Sequence, residues 1–121
     1  MPLRPASLLV LLTALAACSL EVDAPDSPLP GATTVNVAIG DFLYNPDTIR
    51  IVRGASVVWT NTGLTPHTTT SDSLYWDSTA IPPPGTGAVN RYAGQFQSVG
   101  TFPYHCDLHP ADMAGTVIVT P

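Results

Sequence analysis

Thirteen prolines and nine glycines, scattered through 121 residues without a Gly-x-y period, restrict this chain more than any other feature. Proline fixes φ and removes a backbone donor, and glycine weakens helix interiors, so short strands joined by many turns are favoured over a bundle. After residue 20 no segment carries a convincing amphipathic helical period. Val35, Val37 and Ile39 alternate with Asn36 and Ala38, the period of a half-buried strand. Thr48–Val52 and Ser56–Thr60 are β-rich runs on either side of an Arg53-Gly54-Ala55 turn. His67–Thr70 is Thr-rich with high β-propensity, and Ala88–Val99 is a weaker strand interrupted by Gly94. Thr101–Cys106 follows the break at Gly100, and Gly115–Thr120 closes the chain. The segment Ser78–Gly87, containing Pro82, Pro83 and Pro84, cannot join a central ladder and is expected to be a surface loop. About seven or eight short strands predict an all-β fold with Greek-key connections, a β-sandwich before a barrel.

The chain is long enough for one domain with processing and tether segments. Residues 1–18 read as a secretion leader: Arg4 supplies a positive start, Leu8 to Leu15 an apolar run too short to span a bilayer, and Ala16-Ala17 small residues before Cys18. Leu15-Ala16-Ala17-Cys18 resembles the bacterial lipobox, whose cysteine becomes the acylated first residue; the alternative is an ordinary leader with an incidental cysteine. Several acyl chains on Cys18 would anchor the protein stably to a membrane without spanning it. Ser19 after that cysteine points, by analogy with Gram-negative sorting, to an outer membrane. Residues 19–34 hold Pro25, Pro28 and Pro30 with Glu21, Asp23 and Asp26, a composition suited to an extended solvated tether. The domain proper is expected over 35–121, exported and facing the periplasm or the cell exterior.

Four arginines and no lysine stand against nine acids, a formal charge of −5, which removes the cationic surface that nucleic-acid binding needs. Loss of Arg4 with the leader leaves three arginines against nine acids, a formal −6. A monomer with such a surface should prefer basic or neutral partners.

Beyond the leader the chain holds Cys106, Met113 and three histidines, His67, His105 and His109. With Cys18 assigned to lipid, Cys106 has no partner for an intramolecular disulfide. Cys106-Asp107-Leu108-His109 sets a thiol and an imidazole on one tight loop, and Met113 follows four residues after His109. A soft thiolate, imidazoles and a weak thioether suit copper cycling between Cu(I) and Cu(II) better than magnesium or calcium, and a thioether is a poor fourth ligand for structural zinc. His67, after Pro66, is the upstream candidate for the remaining strong ligand. His105 neighbours Cys106 on a strand and should face the opposite side. Idle alternatives exist: His67 as a surface histidine, and Met113 as core packing beside a three-ligand copper.

Phe42-x3-Pro46, Ile49-x-Ile51-x2-Gly54-x2-Val57-x-Trp59-x-Asn61, Pro66-His67 and Gly100-Thr101-Phe102-Pro103-Tyr104-His105-Cys106-x2-His109-Pro110 together resemble the plastocyanin and amicyanin branch of the cupredoxins. The resemblance covers about Val35 to Thr120. It implies a β-sandwich, one-electron transfer, His67, Cys106 and His109 as trigonal ligands of one copper ion, and Met113 as the long axial ligand. There are two departures. Thr68 stands where these families commonly carry Asn after the first histidine, so the brace between ligand loops is weakened or passed to another residue such as Asn61. Met113 stands one residue further from His109 than in amicyanin and one nearer than in plastocyanin, which bears on axial bond length and potential.

The expected function is electron carriage between redox proteins of the cell envelope, with no catalytic residues. Leu64, Pro66, Pro110 and Ala111, with Leu108, form the expected apolar patch around an exposed His109 edge where electrons enter and leave. Copper storage, delivery or sensing would show instead as rapid reversible metal loss with sluggish electron exchange. An accessory copper domain of an oxidoreductase would show as an open coordination position. Trp59, Trp76, Tyr75 and Phe42 are read as core or rim aromatics, and Asp72, Asp77, Asp107 and Asp112 as solvated acids.

Overall fold

The structure, a computed structural model, describes residues 33–121; the leader at 1–18, Cys18 and tether residues 19–32 lie outside the described residues. Eight strands follow one another: β1 Thr34–Gly40, β2 Leu43–Asn45, β3 Thr48–Val52, β4 Ser56–Asn61, β5 Thr70–Ser71, β6 Arg91–Gln95, β7 Gly100–His105 and β8 Ala114–Thr120. They form two four-stranded sheets, ordered β2-β1-β4-β6 and β3-β8-β7-β5. Each sheet is mixed, with β1 parallel to β4 and β3 parallel to β8. The expected all-β Greek-key sandwich is what forms.

Alternation sorts the side chains. On one sheet Val37, Ile39, Val57 and Trp59 point inward, and on the other Ile49, Ile51, Tyr104, Val117 and Val119 meet them. Burying each Val or Ile is worth about 1.5–3 kcal/mol relative to exposure. Trp59, fully buried, stacks on Trp76 at 5.7 Å and meets Tyr104 edge-on at 5.6 Å between ring centroids. Gly115 makes the second contact layer possible, since a Cβ there would overlap the Tyr104 ring. Tyr75 and Phe42 stay largely exposed, so they belong to the rim.

Three elements differ from expectation. β2 is a three-residue strand that periodicity does not reveal, and it forms by pairing with β1, Ile39 opposite Tyr44. The Thr-rich run yields only Thr70–Ser71, because backbone donors upstream go to side chains: Thr68 N–H to Cys106 Sγ and Thr69 N–H to Ser78 Oγ. His67 instead pairs with Ile81 in an isolated bridge, which draws one buried residue of the Pro-rich loop into the core. In β6 Gly94 does not interrupt the strand; it pairs with Val57.

The topology gathers three loops. Because β1 and β4 are parallel, with Ile39 opposite Asn61, the turn after Gly40 and the loop after Asn61 leave the sheet side by side. Thr62 N–H donates to Ile39 O at 2.8 Å and fastens them. On the other sheet β7 is antiparallel to β8, so the loop from Cys106 to Met113 joins them by a short turn.

Candidate metal centre

His67, Cys106 and His109 converge: one donor atom from each lies within 4.8 Å of the others. Cys106 Sγ is 3.9 Å from His67 Nδ1 and 3.6 Å from His109 Nδ1. A single ion bonded at about 2.3 Å to sulfur and 2.0 Å to nitrogen bridges separations of this size. His67 and Cys106 are fully buried and His109 partly so, its ring 5.0 Å from that of His67. Among the described residues Cys106 is a free cysteine, and Thr68 N–H donates to its sulfur at 3.3 Å. That donor ties the backbone of the His67 loop to the sulfur.

The loop carrying Cys106, His109 and Met113 is wound by its own backbone. His109 N–H donates to Cys106 O, Met113 N–H to His109 O, and Cys106 N–H to Met113 O, at 3.2 to 3.3 Å. These bonds fold the segment into a closed turn, and Met113 ends it buried. The residue types suit a soft, redox-active ion: one sulfur and two nitrogens from two loops, His67 and Cys106 buried and His109 partly so.

Thr68 and Asn61 both take part in bracing the loops. Thr68 Oγ1 accepts from Asp107 N–H at 2.9 Å, and Thr68 O accepts from Tyr44 Oη–H at 2.6 Å. The hydroxyl therefore ties the His67 loop to the Cys106 loop itself. Burial pushes the Tyr44 phenol well above its ordinary value, so it remains the donor. Asn61 braces the same loop internally: its amide donates to Thr65 O and Ile81 O, each at 2.9 Å, and its carbonyl accepts from Gly63 N–H.

Sequence reasoning missed Asp41. Its Oδ1 lies 2.8 Å from His67 Nε2, its Oδ2 accepts from Leu64 N–H at 2.7 Å, and Thr65 donates to Oδ1 through both hydroxyl and backbone. The His67 hydrogen bond first, then those from Leu64 and Thr65, hold this carboxyl well below the usual carboxylate range. Gly63 leaves room for it, since a Cβ there would strike the carboxylate. Phe42 also does more than expected of a rim aromatic. Its ring meets His109 edge-on at 4.8 Å and His67 at 6.1 Å, and a left-handed φ of 110° brings it there.

His105 faces away from the cluster. Its Nδ1 bonds Asp72 at 2.5 Å and its Nε2 bonds Asp107 at 2.8 Å, and Asp72 first holds its pKa above the ordinary value. Two acids read as merely solvated are thus tied to an imidazole. Leu64, Pro66, Leu108, Pro110 and Ala111 are all exposed.

The cupredoxin-like domain model matches residues 7–119. Amicyanin-alpha of Methylorubrum extorquens is 35% identical over 106 residues, 88% of this chain and 85% of that protein. The chloroplastic plastocyanin of Tetradesmus obliquus is 30% identical over 105 residues, 73% of this chain and 68% of that protein. A methionine-to-alanine variant of amicyanin, solved in its Cu(I) form, has a TM-score of 0.63 at 25% identity, covering 72% of this chain and 82% of its own. A purple cupredoxin from Nitrosopumilus maritimus shares the fold, with a TM-score of 0.62 at 23% identity over 71% of this chain and 99% of its own.

Proposed function

The chain belongs to the cupredoxin-like family, and from that premise we propose that it is a type 1 copper protein, an electron carrier rather than an enzyme, passing single electrons between redox proteins. The observation that carries this reading is the convergence of Cys106 Sγ with His67 Nδ1 and His109 Nδ1 in a buried setting. These three would hold one copper ion, with Met113 as the weak fourth ligand. Copper bound there supplies the Cu(II)/Cu(I) couple.

The chain's own part is to keep the donors still. Fast exchange needs the same donor positions in both oxidation states, and these donors sit on a frame with little freedom to move. Thr68 is held at its nitrogen, carbonyl and hydroxyl, Asn61 fastens the loop below it, and Phe42 packs on both imidazoles. The Thr68 N–H also holds the Cys106 sulfur in place. Water is kept from His67 and Cys106 by burial.

Exchange with partners belongs at the His109 edge, ringed by Leu64, Pro66, Pro110 and Ala111. The negative body favours partners whose docking face is basic or neutral. The leader and lipobox-like run support export and acylation of Cys18, with the Pro-rich, acidic residues ahead of β1 as the tether that holds the domain off a membrane. The test is Cu(II) titration followed by voltammetry of the loaded protein. One equivalent should saturate the site and give a reversible one-electron wave; a protein that binds the ion without such a wave stores or delivers copper instead.

A further inference from the structure

We propose that Asp41 is a positioning residue for the copper: through its hydrogen bond to His67 it fixes which imidazole nitrogen is free for the metal, and it biases the bound ion toward Cu(II). The inference rests on the copper reading above. Both nitrogens of His67 are spoken for. Nδ1 faces Cys106 Sγ, while Nε2 faces Asp41 Oδ1 at 2.8 Å and Thr65 Oγ1 at 3.2 Å. An ionised carboxylate only accepts, so the single proton of the neutral ring sits on Nε2 and Nδ1 keeps its lone pair. Thr65 spends its hydroxyl proton on Asp41 Oδ1 at 2.8 Å and does not compete for that role.

The carboxylate is itself held. Leu64 N–H and Thr65 N–H and O–H all point at it, and Gly63 provides the gap in which it sits. The His67 side chain is fully buried while that of Asp41 is 25% exposed, so the ring has no solvent of its own and the carboxylate is its direct partner at that nitrogen. A carboxylate on the far nitrogen makes an imidazole a stronger donor, and stronger donation favours the more highly charged ion. The other imidazole has no such load: among the described residues no carboxylate is bonded to His109. Charge is thus applied at the buried ligand, and the ring nearest solvent keeps an apolar surround.

The decisive comparison is the midpoint potential of the wild type, Asp41→Asn and Thr65→Val, with the tautomer of His67 read by nitrogen NMR in the metal-free protein at alkaline pH. Asp41→Asn should lower the preference for Cu(II) over Cu(I) about tenfold, a rise of about 59 mV for one electron, with the blue band retained. Thr65→Val loosens the same loop but keeps the charge, and should move the potential far less. Wild-type His67 should carry its proton on Nε2. A blue Asp41→Asn protein with an unmoved or lowered potential, or equal shifts in both variants, overturns the proposal. If Asp41→Asn does not fold, the wild-type tautomer decides, and a proton on Nδ1 overturns it. A wild type that stays colourless with Cu(II) fails the copper reading itself and takes this one with it.

Discussion

Thr68 N–H donates to Cys106 Sγ across 38 residues of sequence, so the backbone of the His67 loop is hydrogen-bonded to the sulfur of the Cys106 loop. The same residue accepts from Asp107 N–H through its hydroxyl. This threonine thus braces the two loops against each other.

Thr68→Val keeps the shape and the N–H to sulfur but removes the hydroxyl that serves Asp107 N–H and bonds Thr70 Oγ1. Urea unfolding of the metal-free protein should show a loss of about 1–3 kcal/mol. No loss would mean that water replaces the hydroxyl and that the loops are joined by other contacts.

Phe42 holds a left-handed φ that costs a non-glycine residue about 1–3 kcal/mol, and its ring covers both imidazoles. Phe42→Gly relieves the backbone while uncovering the rings. Stability of the metal-free protein should stay within about 1 kcal/mol of wild type, since the ring is half exposed and the relief offsets its lost contacts. Water proton relaxation in the Cu(II) form should rise; unchanged relaxation would show that the ring does not shield the site.

His105 has a folded pKa raised above 6.5, first by Asp72 and then by Asp107. The charged ring is therefore bound more tightly when folded, and its stabilisation is full below pH 6.5 and lost as pH rises through the raised value. The stability gap between metal-free wild type and His105→Gln should be widest in mild acid and close toward alkaline pH. A gap independent of pH would place the contribution in packing rather than charge.

Ala111 and Leu64 are exposed beside the loops that carry His109 and His67. Ala111→Glu or Leu64→Glu adds negative charge to an apolar surface of an already acidic protein, and electron self-exchange should slow about tenfold while the copper spectrum stays fixed. Unchanged exchange would move the route of electrons elsewhere.

Much of the centre is legible in the sequence because its residue types are scarce. One cysteine, one methionine and three histidines beyond the leader leave few combinations, and a Cys-x2-His loop is short enough to be read locally. The β1 and β4 strands declare themselves by alternation. Asp41 does not, because an acid before Phe42 looks like an ordinary turn residue until the parallel pairing of β1 with β4 brings that turn over the His67 loop. The role of Thr68 is equally hidden, since it depends on a contact with Asp107, distant in sequence, that only the pairing of β5 with β7 creates. The shortness of β5 follows from side chains taking backbone donors, a competition that β-propensity does not register.

The most direct test of the whole account is the visible and paramagnetic-resonance spectrum of the purified protein with one equivalent of Cu(II), alongside Cys106→Ser. Wild type should show an intense thiolate-to-copper band and a narrow hyperfine splitting, and Cys106→Ser should be colourless. A blue Cys106→Ser protein, or a wild type with only weak absorption and the broad splitting of nitrogen and oxygen ligation, would contradict a copper centre built on Cys106, His67 and His109.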